Sequence, residues 1–278
     1  MDDEGSLLER RRASWAQTPR TRIPDADAAA RLIEHVGLAT LYPVSSEMPN
    51  LFHAYTGDPT AKTDSGHDSP SGHVYSWRWA LGRREAAFYS VLVRGRPTWV
   101  RWDVFPAVLR LWGELRQPEE LYDRGELSSD GYRVARALDA AGGATSTGDL
   151  RQHAGFPTGK PQRAAYLKAV DELDSRLLLA KVFSPDEDDL GMRHALVRQR
   201  YPTYVAAAAA LTHEAALAAF LASYLPPAVY VVPAVLARHL RLPDTVLRAG
   251  LARLVGEGRA AALTLPEHKG ACYVWTGE

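Results

Sequence analysis

The sequence predicts a mainly α protein with short β-hairpin wings, built from tandem helix-turn-helix units. Two observations predict it. The order helix, short helix, tight turn, helix and strand runs through residues 127–183, and the same plan returns over residues 231–275 with a second hairpin strand. A helix-turn-helix closed by a β-hairpin is a winged helix.

Taken in order, residues 1–24 hold Arg10, Arg11, Arg12 and two prolines, and read as a flexible N-terminal arm. Residues 25–125 form an N-terminal helical, winged-helix-like domain. Asp25 caps its first helix, Ala28, Leu32 and Ile33 give the apolar stripe, and Gly37 closes it. Residues 56–73, rich in Gly, Ser, Asp and Pro, read as a long polar loop. Beyond it, Trp77, Trp79, Leu81, Ala86, Phe88, Tyr89 and Leu92 fit a single helix ended by Gly95. Residues 97–102 are β-like, and residues 105–112 form a short helix.

Residues 126–190 are the central winged helix. Tyr132, Val134, Ala135 and Leu138 line its first helix, and Thr147 caps its second. Ala165, Tyr166, Ala169, Val170 and Leu173 line its third. Residues 191–227 are connecting helices rich in alanine, closed by Pro226 and Pro227. Residues 228–278 are the C-terminal winged helix, with Val246, Leu247, Leu251 and Leu254 inside its third helix and Lys269 at the wing tip.

The 278 residues carry 33 basic and 33 acidic side chains, so net charge does not mark a polyanion binder; local arrangement has to. The basic residues are nearly all arginine, whose planar fork suits phosphate and guanine edges. Cys272 is the single cysteine, which excludes an internal disulfide and a cysteine-based zinc site. The N-terminus has no basic start leading into an apolar run, and no apolar stretch is long enough to span a bilayer. A cytoplasmic protein is expected.

In a winged helix the third helix enters the major groove and the wing touches the backbone or minor groove. Phosphate contacts are therefore expected from Arg83, Arg84, Arg94, Arg96 and Lys269, and groove contacts from Arg163, Lys168, Arg248 and Arg253. Lys160 sits at the approach to the third central helix. No phosphate loop, dinucleotide fingerprint or nucleophile elbow is present. His53, Asp58, Asp64, His67, Asp68 and His73 cluster in sequence but lack the rigid spacing of metal ligands. Neither a metal nor an organic cofactor is expected. A base-excision site needs a carboxylate or amide to position water, and Glu47, or another carboxylate, could supply it.

Two stretches, residues 32–54 (LIEHVGLATLYPVSSEMPNLFHA) and 76–97 (SWRWALGRREAAFYSVLVRGRP), followed by the winged-helix plan, resemble the AlkZ/YcaQ DNA glycosylases. The resemblance implies three tandem winged helices forming a concave DNA-binding surface, excision of alkylated or crosslinked bases, and an added β-barrel. The sequence leaves little room for that barrel after the last wing. The family's polar Gln-apolar-Gln or Gln-apolar-Asp motif falls here on Thr40-Leu41-Tyr42, so no catalytic residue carries over. Three functions stay open. The first is a protein that binds duplex DNA, damaged or not, in repair. The second is a monofunctional DNA glycosylase with a non-standard catalytic residue, and the third a winged-helix transcription regulator or protein-binding scaffold. Enzymatic activity and oligomeric state are left open.

Overall fold

The computed structural model of the chain describes residues 4–157 and 159–277. The chain opens with α1 (Glu4–Ser14). The first unit then follows as α2 (Ala26–Val36), β1 (Leu38–Thr40), α3 (Leu51–Thr56), α4 (Pro70–Arg83), β2 (Phe88–Val91) and β3 (Pro97–Val100). Helices α5 (Phe105–Trp112) and α6 (Pro118–Asp123) lead to α7 (Ser129–Ala141), β4 (Thr145–Ser146), α8 (Thr147–His153), α9 (Lys160–Ser175), β5 (Leu179–Phe183) and β6 (Met192–Leu196). After α10 (Val197–Arg200) and α11 (Pro202–Ala210) come α12 (His213–Ala228), β7 (Tyr230–Val231), α13 (Pro233–Leu240), α14 (Asp244–Gly256), β8 (Ala260–Thr264) and β9 (Ala271–Trp275).

Each unit thus runs helix, short strand, helix, helix, hairpin. In each three-stranded antiparallel sheet the last strand lies between the other two, in the orders β1-β3-β2, β4-β6-β5 and β7-β9-β8. That connectivity is the winged-helix topology, and it holds for the first unit as well as the two that the sequence displays more openly.

Local chemistry explains the boundaries. The Asp25 side chain accepts from the Ala28 amide at 2.8 Å, and Gly37 ends α2 at φ 72. Such a left-handed angle suits glycine. Ser146, rather than the expected Thr147, caps α8 by accepting from Asp149 N at 3.1 Å. The units are fused by apolar packing. Phe183 of β5 packs against Tyr89 and Trp99 of the first sheet at centroid distances of 5.5 and 6.4 Å. Helices α5 and α12 share the main core through Leu109, Phe220 and Leu221. The second unit keeps a core of its own around Val134, Leu138, Tyr166 and Leu173.

Four expectations change. The N-terminal arm is a helix, because Leu7 packs on the third sheet with Tyr230 and Cys272, and Arg11 and Trp15 are buried; residues 1–3 of that arm lie outside the described residues. The single helix read up to Gly95 is instead α4, a reversal at Glu85 (φ 46), and the hairpin β2–β3. Aromatic and branched residues at Phe88–Val91 suit a strand, and their spacing mimics a helical stripe. The polar loop shrinks to residues 57–69, tied by reciprocal bonds of 3.1 Å between Asp64 and Ser71. Finally, Pro226 and Pro227 do not separate the last unit from its neighbour. They sit in the last turn of α12, which is the first helix of that unit.

No single helix among the described residues is long and apolar enough to cross a membrane.

Candidate nucleic-acid interface

The third helices of the units are α4, α9 and α14, and the cations expected to reach DNA lie on them and on the wings. On α9, Lys160, Arg163 and Lys168 are exposed, opposite the face that buries Tyr166, Ala169 and Leu173. At the first wing, Arg94 and Arg96 are exposed on either side of Gly95. Arg253 on α14 and Lys269 at the tip of the third wing are exposed too. Among the described residues none of these cations is paired with a carboxylate, so their guanidinium and ammonium groups face solvent.

Arg83, Arg84 and Arg248 are placed differently. Arg83 Nε donates to Ser184 O at 3.2 Å and its Nη2 to Glu187 O at 2.8 Å, stapling α4 to the hairpin of the second unit. Arg84 is ion-paired with Asp27, which holds that carboxyl below its usual range. Arg248 is paired with Asp244 one turn away, at 2.6 Å. These three arginines therefore have protein partners, unlike the unpaired cations above.

A second cluster lies where the first unit's turn meets its third helix, and sequence reading missed it. Thr40 and Leu41 are fully buried, the Thr40 hydroxyl donating to Tyr42 O at 2.8 Å. The Tyr42 phenol is half-buried and donates to Ser71 O at 3.0 Å, at the start of α4. Burial raises its pKa, and the nearby Arg78 guanidinium opposes that. Arg78 lies 3.6 Å from the Tyr75 ring centroid and 4.5 Å from that of Trp79. Tyr75 is 44% exposed, and Trp79 donates to Leu190 O on the second wing at 3.2 Å. The signal was present as Tyr75-x-x-Arg78-Trp79, spaced to share one side of a helix. The cluster offers a cation, phenol hydrogen bonds and π-faces, which is binding chemistry. Burial pushes the Tyr42 and Tyr89 phenols above their ordinary value.

Glu47 is not placed for catalysis. It is 2% exposed; Oε1 accepts from Arg11 Nη1 at 2.6 Å and Oε2 from the Val232 amide at 3.1 Å. Its carbonyl accepts from the Tyr224 hydroxyl. The carboxylate clamps α1, the turn after β1 and the junction of β7 with α13 together, and is itself buried. His53 and Asp58 of the polar segment make local bonds. His53 faces Asn50 and Ala61 O at 3.2 Å each, and Asp58 caps Thr60 at 2.8 Å. Among the described residues no three His, Cys, Asp or Glu side chains converge on a point.

The sequence profile of AlkZ-related proteins matches residues 23–218, well over half of the chain. The chain belongs to the AlkZ-related family. A solved structure of the DNA glycosylase AlkZ from Streptomyces sahachiroi superposes with a TM-score of 0.56 at 12% identity, covering 96% of this chain and 70% of that one. At that identity the likeness shows the fold alone. No curated protein sequence matches the chain. In this AlkZ-related chain the profile spans the first two units and stops inside α12, whereas the superposition takes in nearly the whole molecule.

Proposed function

We propose that this protein acts in DNA repair by binding damaged duplex DNA through the third helices and wings of its three units. The observation that carries this reading is the set of exposed, unpaired cations on those elements: Lys160, Arg163 and Lys168 on α9, Arg253 on α14, and Arg94, Arg96 and Lys269 on two wings. These elements meet the grooves and backbone in winged-helix proteins, and family membership adds weight to DNA as the partner. The Tyr75–Arg78–Trp79 cluster on α4 supplies stacking surface, which is worth about 1–3 kcal/mol per base. Fluorescence anisotropy with labelled intact and alkylated duplexes tests the reading. Tighter binding to the alkylated duplex supports it, and absence of binding to either refutes it.

Base excision is the second reading, favoured by one observation. The Tyr42 phenol, at the position of the family's polar motif, donates to Ser71 O at 3.0 Å, and the Asp64 carboxylate accepts from the Ser71 amide at 3.1 Å, so both groups are tied to the first turn of α4. Hydrogen bonds from Ser71 and Ser69 hold Asp64 below its usual range, so it is anionic at neutral pH and able to orient a water. Abasic sites formed from alkylated duplex by the protein, and not by Asp64→Asn, would establish it.

A further inference from the structure

Where the first wing meets the third unit, the packing leaves a cavity of about 240 Å³. Its walls come from every part of the fold: Leu92 and Val93 from the first wing, Trp112 from α5, Ser175 from the end of α9, and His239 and Arg241 from α13 and the residue after it. The apolar lining is Val91, Leu92, Val93, Leu111 and Trp112, Arg241 is the cation that lines the cavity, and Arg94 and Arg238 are the chain neighbours of the lining residues Val93 and His239. Arg94, Arg238 and Arg241 are exposed, and among the described residues none is paired with a carboxylate. Arg94 and Arg241 both adopt left-handed backbone angles, φ 51 and 53, which are uncommon for residues other than glycine.

His239 is the buried polar side chain among the lining residues. It is 4% exposed, its Nε2 lies 2.6 Å from Ser45 Oγ, and its Nδ1 makes no hydrogen bond. Burial lowers its pKa, and the Arg94 and Arg238 guanidiniums act in the same direction. A buried ring nitrogen without a partner is a group that a ligand can satisfy.

We propose that this cavity binds one nucleoside monophosphate unit. Its base lies against Leu92 and Trp112, within reach of His239, and its phosphate is held by Arg94, Arg238 and Arg241. The volume is just under the usual range for ligand pockets, about 300–1,000 Å³, which suits a single ring system and excludes a dinucleotide. The unit has two sources: a nucleotide extruded from duplex DNA, or a free nucleotide. The first source rests on the duplex-binding function proposed above. The second does not, so failure of that function and failure of the pocket are distinguishable.

The test uses the full chain in two arms. In the first, deoxyadenosine monophosphate, deoxyadenosine and inorganic phosphate are titrated by calorimetry. In the second, a duplex with 2-aminopurine opposite an abasic site reports unstacking by fluorescence, read at protein concentrations where anisotropy shows the duplex fully bound by wild type and variant alike. The comparison protein is the double variant Arg94→Gln, Arg241→Gln, whose side chains are exposed and whose unchanged thermal melt shows that it is folded. The expected result is saturable binding of the monophosphate, about tenfold or more tighter than the nucleoside, or a rise in 2-aminopurine fluorescence. The double variant weakens whichever signal appears by about tenfold or more, as loss of charge-assisted hydrogen bonds requires. A signal in the first arm identifies the free nucleotide as the source, and a signal in the second alone identifies the extruded one. No saturation at about 1 mM monophosphate, the weak end of ordinary affinity, together with no fluorescence change, overturns the proposal. So does a signal in either arm that the double variant leaves intact.

Discussion

Replacing Glu47 with Gln separates a structural carboxylate from a catalytic one. The wild-type carboxylate and the Arg11 guanidinium are each 2% exposed and 2.6 Å apart, so neither charge is shielded by water. Both oxygens are used, Oε1 by Arg11 and Oε2 by Arg11 (3.5 Å) and the Val232 amide (3.1 Å). A glutamine amide supplies one acceptor and one donor in their place, so an N–H of Arg11 or Val232 is left facing another N–H. Arg11 keeps the carbonyls of Ala228 (2.8 Å), Ser46 (3.1 Å) and Tyr230, and its contact with the Tyr230 ring 3.6 Å away. Its counter-charge is gone. Removing one partner of a buried pair costs about 3–5 kcal/mol, and a chain of this size loses about 2–4 °C of Tm per kcal/mol. Denaturant unfolding of Glu47→Gln should therefore show a loss of about 3 kcal/mol or more, and a protease should cut near α1 sooner. An apolar pair at both positions should not recover the loss, because the Ala228, Ser46 and Tyr230 carbonyls and the Val232 amide would then lose these side-chain partners. A Glu47→Gln protein as stable as wild type, with lost activity on DNA, would refute this account of Glu47.

Two further perturbations probe the seams between units. Gly82 of α4 is buried, and a Cβ there would lie 2.1–2.4 Å from Phe183 ring carbons, while that ring is hemmed in by Tyr89 and Trp99. Gly82→Ala should lower unfolding free energy by about 1–3 kcal/mol despite alanine's better helix propensity, and a stabilised variant would contradict the packing described. His194 on β6 is pushed down to about 4, first by burial and then by Lys181, with Asp174 opposing. The unfolded chain takes up this proton near 6.5 and the folded chain only near 4, so stability falls as pH drops through that window and not further below it. The loss should be about 2–3 kcal/mol. His194→Phe should flatten that part of the pH–stability curve, leaving the smaller contributions of His53 and His239, which are also lowered; an unchanged slope between pH 4 and pH 6.5 would contradict it.

How legible the fold was in the sequence follows from how local each signal is. Asp25 and Gly37 bracket α2 where the structure has it, and residues 105–112 are read to the residue as α5. Caps and short apolar periods act within a few residues, so they can be read without the rest of the molecule. The first unit was blurred because Leu81, Phe88 and Leu92 keep a helical spacing across a chain reversal at Glu85. Helix α3 was lost in a polar neighbourhood, although Asn50, which accepts from His53 N at 2.8 Å, was its cap in plain sight. The role of Arg11 was not legible at all, because its partners Glu47, Ala228 and Tyr230 are distant in sequence. The same limit applies to the interface. Helical phase told which arginines are exposed, but not that Arg83 is bonded to a neighbouring hairpin or that Arg78 lies against two rings.

The salt dependence of duplex binding reaches the central claim most directly. Each phosphate neutralised adds about 0.9 to the slope of log affinity against log salt, so half a dozen contacts predict a loss of about 10³ or more between ~50 and ~200 mM. Replacing Arg96, Arg163 and Lys168 with alanine should reduce that slope by about 0.9 for each phosphate that the variant no longer neutralises. A flat salt response in the wild-type protein, or a slope that these substitutions leave untouched, would contradict a DNA-binding surface made of these cations.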